Sequence, residues 1–370
     1  MYFKKYVTLF KNKIYHIKYI KNEGGVMKYL SKLACILIVG LSGQAVARDL
    51  TVVAFGGATQ EAFNHAYFQP FVTQSKKRIV QDSYTGGIAR QKAMVESGNI
   101  TWDVVQMDEN EMALACEQGL LEVIDFKQLS NAKEITPAAL SKCGVGAFVW
   151  SEVLTYDSKK FGVDGPKTWA QFWDIKKWPG KRGLRKQARM TLEIALMADG
   201  VKPADVYTLL ATKAGQDRAF AKMDQIKSSI QWWESGAQPL EWLASGTVVA
   251  TAAYSGRIAI ANREGSHFPI AWDNQLYSMD YWTLIKNTPN KASALDLLNT
   301  MLSAERQKTF TDLIPYGILN MRTAAMIKPD VLAQLPTAPQ NMKTALLLDS
   351  HFWVDHEEEI MARFNQWIAQ

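Results

Sequence analysis

Short apolar runs alternate with stretches of helical period along most of this chain. Thr51-Val52-Val53-Ala54-Phe55 is a continuous apolar run, as expected of a strand covered on both faces. Gly56-Gly57 breaks it, and Phe63, Tyr67 and Phe71 then recur four residues apart, the stripe of a helix. The same order returns with a strand over 78–84, a Gly86-Gly87 turn, a helix over 88–97, a strand over 102–105 and a helix over 109–118. The pattern pauses around residues 145–156. It resumes with a short helix over 169–175, a strand over 182–186, a helix over 191–199 and strands over 228–233 and 248–254. A strand over 276–285, a helix over 292–313 and an amphipathic helix over 354–368 complete it. Strand–helix alternation of this kind predicts an α/β fold with mostly parallel sheets and helices on both faces.

The segment before residue 48 has a different pattern. Met27 opens a short basic stretch with Lys28 and Lys32, which runs into the apolar residues 33–41 and the small-residue site Ala45-Val46-Ala47. Basic, apolar and A-x-A regions in that order predict a secretory signal peptide over 27–47. Residues 1–26 carry no apolar run of their own and read as an upstream extension from a translation start assigned too early. Lipidation at Cys35 does not fit, because Lys32 stands where an acylation signal needs an apolar residue and the apolar run follows the cysteine. The chain beyond Ala47 is therefore expected in the periplasm.

Removing that leader changes the charge. The whole sequence has 42 Lys+Arg against 36 Asp+Glu, a net +6. Residues 1–47 hold eight of the lysines and one glutamate, leaving 34 basic and 35 acidic residues and a net charge of −1. The basic pI thus belongs to the leader and predicts no nucleic-acid partner. About 320 residues exceed one typical core, which predicts two lobes. Cys116 and Cys143 are the cysteines left beyond the leader, and in an oxidising compartment they are expected to form a disulfide. Twelve Trp and 13 Tyr suit, besides core packing, a cleft that boxes a small cation against ring faces.

Enzyme and cofactor signatures are missing: there is no G-x-S-x-G elbow, H-E-x-x-H pair or phosphate loop. His351 and His356 are five residues apart, off a common helical face, and are followed by three glutamates, so they read as a solvated face and no metal site is expected. The chemistry concentrates in two other stretches. Residues 247–257 read as a buried strand ending Tyr254-Ser255-Gly256-Arg257, and residues 276–285 as a strand with Asp280 among apolar and aromatic neighbours. A carboxylate in a buried strand needs a cation. Either Arg257 supplies it as a salt bridge, or Asp280 meets a ligand amine and Arg257 a ligand carboxylate.

These stretches resemble the periplasmic solute-binding proteins of polyamine-type (spermidine/putrescine) ABC importers, over nearly the whole exported chain. The resemblance rests on Phe55-Gly56-Gly57, Tyr84-Thr85-Gly86-Gly87, Trp102-Asp103-Val104-Val105, residues 168–173 (TWAQFW), residues 179–183 (PGKRG), Ser278-Met279-Asp280 and Pro315-Tyr316-Gly317. It implies a type II, flytrap fold: lobe 1 over 50–149 and 280–325, lobe 2 over 152–278 and 330–370, with crossings near Trp150 and Met279. It also implies Asp280 as the amine-binding carboxylate and Tyr84, Tyr254 and Tyr316 as box aromatics. Where polyamine binders carry two further acids, this chain has Gln187 and Met190 in a basic stretch. Tyr254 to Arg257 together with Asp280 looks like the γ-aminobutyrate branch, and Gly57 adds backbone donors for an anionic end. The expected ligand is a small amine-bearing solute, an ω-amino acid ahead of putrescine or spermidine. The expected partners are a separate inner-membrane permease and its ATPase, and the expected form is a monomer. A sensing role for a signalling receptor and, further off, an exported enzyme are the alternatives.

Overall fold

Ten strands join into one sheet among residues 48–370, the part of the chain that the computed structural model describes. The expected signal peptide over 27–47 and upstream extension over 1–26 lie outside the described residues. The strands are β1 (Leu50–Ala54), β2 (Ile79–Ser83), β3 (Val104–Asp108), β4 (Leu140–Ser141), β5 (Gly144–Tyr156), β6 (Arg182–Arg185), β7 (Ile230–Trp233), β8 (Ala250–Tyr254), β9 (Ile270–Leu284) and β10 (Leu346–Leu347). Their order is β2-β1-β3-β9-β5-β8-β6-β7, with β4 and β10 paired off this path to β5 and β9.

Each end of this sheet is parallel, as the strand–helix alternation predicts: β1 runs with β2 and β3, and β6 runs with β7 and β8. The middle is antiparallel. There β5 and β9, 13 and 15 residues long, pair with each other and carry the sheet from one half to the other. The first part of β5 lies beside the later part of β9, which itself pairs with β3; the last part of β5 pairs with β8. The register slips between Gly146 and Phe148 and again between Glu152 and Leu154. Such bulges let a long strand twist as it passes between halves. This is a two-lobed α/β fold of the periplasmic binding protein type.

Several elements differ from the sequence expectation for identifiable reasons. The apparent pause within 145–156 is one continuous buried strand; Ser151 and Glu152 interrupt its apolar pattern without ending it. Residues 247–257 are not one strand. The chain leaves β8 at Tyr254 and enters the helix Ser255–Arg263, so Arg257 lies in a first helical turn. The span 292–313 is two helices, Lys291–Met301 and Ala304–Leu313, broken where Ser303 caps the second by accepting the Arg306 N–H at 3.4 Å.

Aromatic packing anchors the cleft wall. Phe63 stacks on Phe310 (5.0 Å) and meets Trp282 edge-on (4.7 Å), and Phe148 continues the cluster to Tyr316 (4.6 Å, 8° between planes). The expected disulfide is present: Cys116 and Cys143 are joined, with Cα atoms 5.8 Å apart. It ties the end of the helix Glu109–Glu117 to the start of β5 across 27 residues, a loop whose closure restrains the unfolded chain by about 3.5 kcal/mol in the chain-entropy account.

Candidate ligand-binding site

A cleft of about 370 Å³ opens where the two halves of the sheet face each other. Its floor comes from β3, β5 and β9. In the β3–β9 pairing Asp108 stands directly opposite Asp280. Side chains so opposed share a face, with Cβ atoms about 5 Å apart, so two carboxyl groups sit side by side. Asp280 is 5% exposed. Its partners are neutral: the Trp150 indole N–H donates to Oδ1 at 2.7 Å, and the Gln106 side-chain amide donates to Oδ2. The Arg257 salt bridge, one of the two readings open from sequence, does not form. Burial drives the Asp280 carboxyl well above the usual carboxylate range, the Asp108 charge adds to this, and the two donors oppose it.

Arg257 lines the same cleft from the helix that follows β8, and among the described residues no carboxylate pairs with it. Its guanidinium lies along glycines. A Cβ on Gly57 would come 3.6 Å from Nη1, and one on Gly236 would come 3.1 Å from Nε. Gly56 lines the cleft, whereas Gly57 stands just behind it against Arg257; both have left-handed φ, 77° and 64°. The neighbouring Gly256 is needed for close approach, since a Cβ there would lie 2.5 Å from the Tyr316 ring.

The three tyrosines also converge on the cleft. Tyr84 stacks on Phe55 (5.0 Å, 17°) and donates its hydroxyl proton to the Gln106 carbonyl at 2.6 Å. Tyr254 receives an Arg185 N–H at 2.6 Å and meets Trp150 edge-on at 5.5 Å; burial pushes its hydroxyl up to about 12. Tyr316 is buried and stacked on Phe148. Gln187 reaches the lining and donates its amide to the Arg189 carbonyl at 3.1 Å. Asp280, Arg257, Tyr84, Tyr254, Tyr316 and Gln187 therefore meet in one cavity, with Gly57 behind it.

Other lining residues did not emerge from the sequence: Gln106, Asp108, Glu111, Trp150, Arg185, Arg189 and Trp233. A signal existed for two of them, because Gln106 and Asp108 are polar at alternate positions of a buried strand. Glu111 accepts the Gly87 N–H at 2.7 Å, and burial raises its carboxyl to about 7. Among the described residues no group of His, Cys, Asp and Glu could hold a metal ion. Among the described residues the arrangement offers a carboxylate without a cation, a guanidinium without an anion, and aromatic rings in the same lining.

A two-lobed fold closing on such a cleft defines a binding protein for a small solute, and comparison with known proteins makes this specific. Residues 62–340 match the model of the bacterial extracellular solute-binding proteins, and the chain belongs to that family. It is 46% identical over 334 residues to the gamma-aminobutyric acid-binding protein of Pseudomonas aeruginosa, covering 90% of this chain and 95% of the relative. It is 23% identical over 273 residues to the spermidine/putrescine-binding periplasmic protein of Escherichia coli, covering 71% and 76%. An ABC transporter substrate-binding protein from Bradyrhizobium japonicum superposes with a TM-score of 0.80 at 34% identity, over 86% of this chain and 99% of that one.

Proposed function

We propose that this protein is the periplasmic receptor of an ABC importer and that it carries an ω-amino acid of the γ-aminobutyrate type. The ligand ammonium meets Asp280 within the tyrosine and tryptophan rings, and the ligand carboxylate meets Arg257. The observation that carries this reading is the pair of unmatched charges in one cleft: a buried carboxylate held only by neutral donors, and a guanidinium with no carboxylate beside it. A zwitterion of suitable length satisfies both ends, and charge-assisted hydrogen bonds in a desolvated cleft are the strong ones. The similarity to the gamma-aminobutyric acid-binding relative supports the same choice.

Closure accompanies binding on this reading. The lobes are 50–149 with 280–325, and 152–278 with 330–370. The pairings of Val149 with Met279 and Trp150 with Ser278, between the two register slips, support a hinge there. The closed form docks on a separate permease with its ATPase, and the protein acts as a monomer without catalysing a reaction. A diamine is the second reading, favoured by the further acids Asp108, Glu111, Glu234 and Glu357 in the lining.

A thermal-shift series on the purified protein separates the two. γ-Aminobutyrate at 100 times its Kd should stabilise by about 2.7 kcal/mol. Stabilisation by ω-amino acids and not by putrescine or spermidine is expected; stabilisation by the polyamines alone would overturn the zwitterion reading.

A further inference from the structure

We propose that Arg189 is a positioning residue that sets the ligand class: by occupying Asp108 it leaves Asp280 as the one carboxylate on the β3–β9 floor of the cleft open to an amine, so that the cleft favours an ω-amino acid over a diamine. This rests on the Proposed function reading that Asp280 and Arg257 hold the two ends of the ligand.

Asp108 and Asp280 are opposed on one face of the β3–β9 ladder and both line the cleft. Two free carboxylates at that spacing, with Glu111 close by, would be a site for more than one ammonium. Arg189 removes one of them. Its Nη2 donates to Asp108 Oδ1 at 3.0 Å and its Nη1 to Asn110 Oδ1 at 3.0 Å. The two side chains are 9% and 18% exposed, so the pair is largely shielded from solvent. Burial disfavours the charged guanidinium, but Asp108, together with Glu193 and Tyr207, outweighs it and keeps Arg189 charged.

The two partners come from opposite halves of the sheet. Asp108 ends β3, whereas Arg189 lies between β6 and the helix Thr191–Ala198. Met190, with a left-handed φ of 69°, turns the chain directly after it. The pair therefore spans the cleft while it neutralises Asp108. Other charged groups near Arg189 are Glu193 on the helix that follows it, Glu357 on the helix Ser350–Ala369, and Glu109, Glu111 and Glu152. None of them replaces the bond to Asp108. Glu193 already accepts from Trp353 at 2.8 Å, and Glu357 bonds Asn110.

The test is a double-mutant cycle read by calorimetric Kd values for γ-aminobutyrate and putrescine. In Arg189→Met the ratio of putrescine to γ-aminobutyrate affinity should rise at least tenfold. Arg189→Lys should keep the wild-type ratio within about threefold. Asp108→Asn, which preserves the cap of the helix Glu109–Glu117, leaves the Arg189 charge uncompensated beside Asp280, and γ-aminobutyrate should bind several-fold more weakly. The double variant should return the ratio to within threefold of wild type.

An unchanged ratio in Arg189→Met, or a double variant that stays shifted, overturns the role of Arg189. Loss of γ-aminobutyrate binding in every variant lacking Arg189, with no rescue by Asp108→Asn, would mean that Arg189 holds the ligand itself. If Arg189→Met fails to fold, Asp108→Asn decides alone, and undiminished γ-aminobutyrate affinity there refutes the proposal. A wild-type protein that binds neither probe sinks the ligand class as well, whereas wild-type binding with an unchanged Arg189→Met ratio sinks only this inference.

Discussion

Replacing Asp280 with asparagine should move stability and binding in opposite directions. The amide keeps an acceptor for the Trp150 indole N–H, now at 2.7 Å from the carboxylate, but gives up the bond that Oδ2 accepts from the Gln106 amide, so the shape is conserved while the charge and one hydrogen bond are lost. In the empty cleft that charge is unfavourable, because Asp280 is 5% exposed and faces Asp108. Two unit charges about 5 Å apart repel by about 3 kcal/mol at an effective dielectric constant near 20. Arg189 cancels part of this and the lost Gln106 bond about 1 kcal/mol more, so the empty Asp280→Asn protein should gain about 1 kcal/mol. The folded carboxyl titrates above its unfolded value. Its ionised form therefore weakens the fold at high pH, and the penalty disappears as the pH falls below the unfolded value. The gain should be present at pH 8 and absent near pH 4. With ligand the sign reverses: removing one partner of a buried ion pair costs about 3–5 kcal/mol, a rise in Kd of roughly 150- to 5,000-fold. Urea unfolding without ligand, and calorimetry with γ-aminobutyrate, read the two effects. A variant that is less stable at pH 8, or that keeps its affinity within threefold, refutes the assignment of Asp280.

Other expectations follow from the same geometry. Arg257→Gln should weaken γ-aminobutyrate by roughly 10- to 100-fold, the worth of a hydrogen bond to a charged group, while leaving a simple alkylamine within threefold in the same calorimetric series. Glu152 is buried with neither carboxylate oxygen bonded, and burial raises its carboxyl to about 7. Its destabilisation is absent below its unfolded pKa and complete above the folded one. Between pH 4 and pH 8 wild type should therefore lose about 3 kcal/mol more than Glu152→Gln, read from urea unfolding, the raised Glu111 and Glu193 contributing equally to both proteins. Binding an ammonium favours ionised Asp280, so γ-aminobutyrate binding should release protons at pH values above the usual carboxylate range, where the raised Asp280 carboxyl of the empty cleft still holds its proton. Calorimetry in buffers of different ionisation enthalpy reads this release, which should vanish in Asp280→Asn.

The sequence pattern was most legible where one element is long and periodic, and least where the outcome depends on pairing across the sheet. The helices over 88–97 and 109–118 were foreseen to within a residue or two. For β3 the apolar run Trp102 to Val105 drew the strand too early. The strand is Val104–Asp108, and the displaced end carries Gln106 and Asp108 into the cleft. At Tyr254 the end of the strand was legible, since the turn dipeptide Ser255-Gly256 follows, but the helix that starts there was not, because its apolar residues resume only at Ile258. Asp280 was recognisable as a buried carboxylate in need of a partner. Its partners were not, because Trp150 is 130 residues away and Gln106 is 174 away. Only the strand order brings them together. Arg189 was visible only as part of a basic stretch, since its role depends on Asp108 from the other half of the sheet.

The sheet explains how so few unmatched groups can serve a two-lobed receptor. On the proposed closure, β5 and β9, which run through both halves, bend as two continuous strands with no linker to order. The ligand must then supply the difference between the open and closed states. On the proposed assignment, Asp280 belongs to lobe 1 with β3 and Arg257 to lobe 2 with the helix after β8. An amine satisfies only Asp280 and an anion only Arg257; each could enter without favouring closure. A zwitterion that reaches both stabilises the closed form by the sum of two charge-assisted contacts, and the Arg189–Asp108 pair forms across the same gap. Selectivity and closure then have one physical origin, which is why a substitution that opens Asp108 to a second ammonium should alter both together.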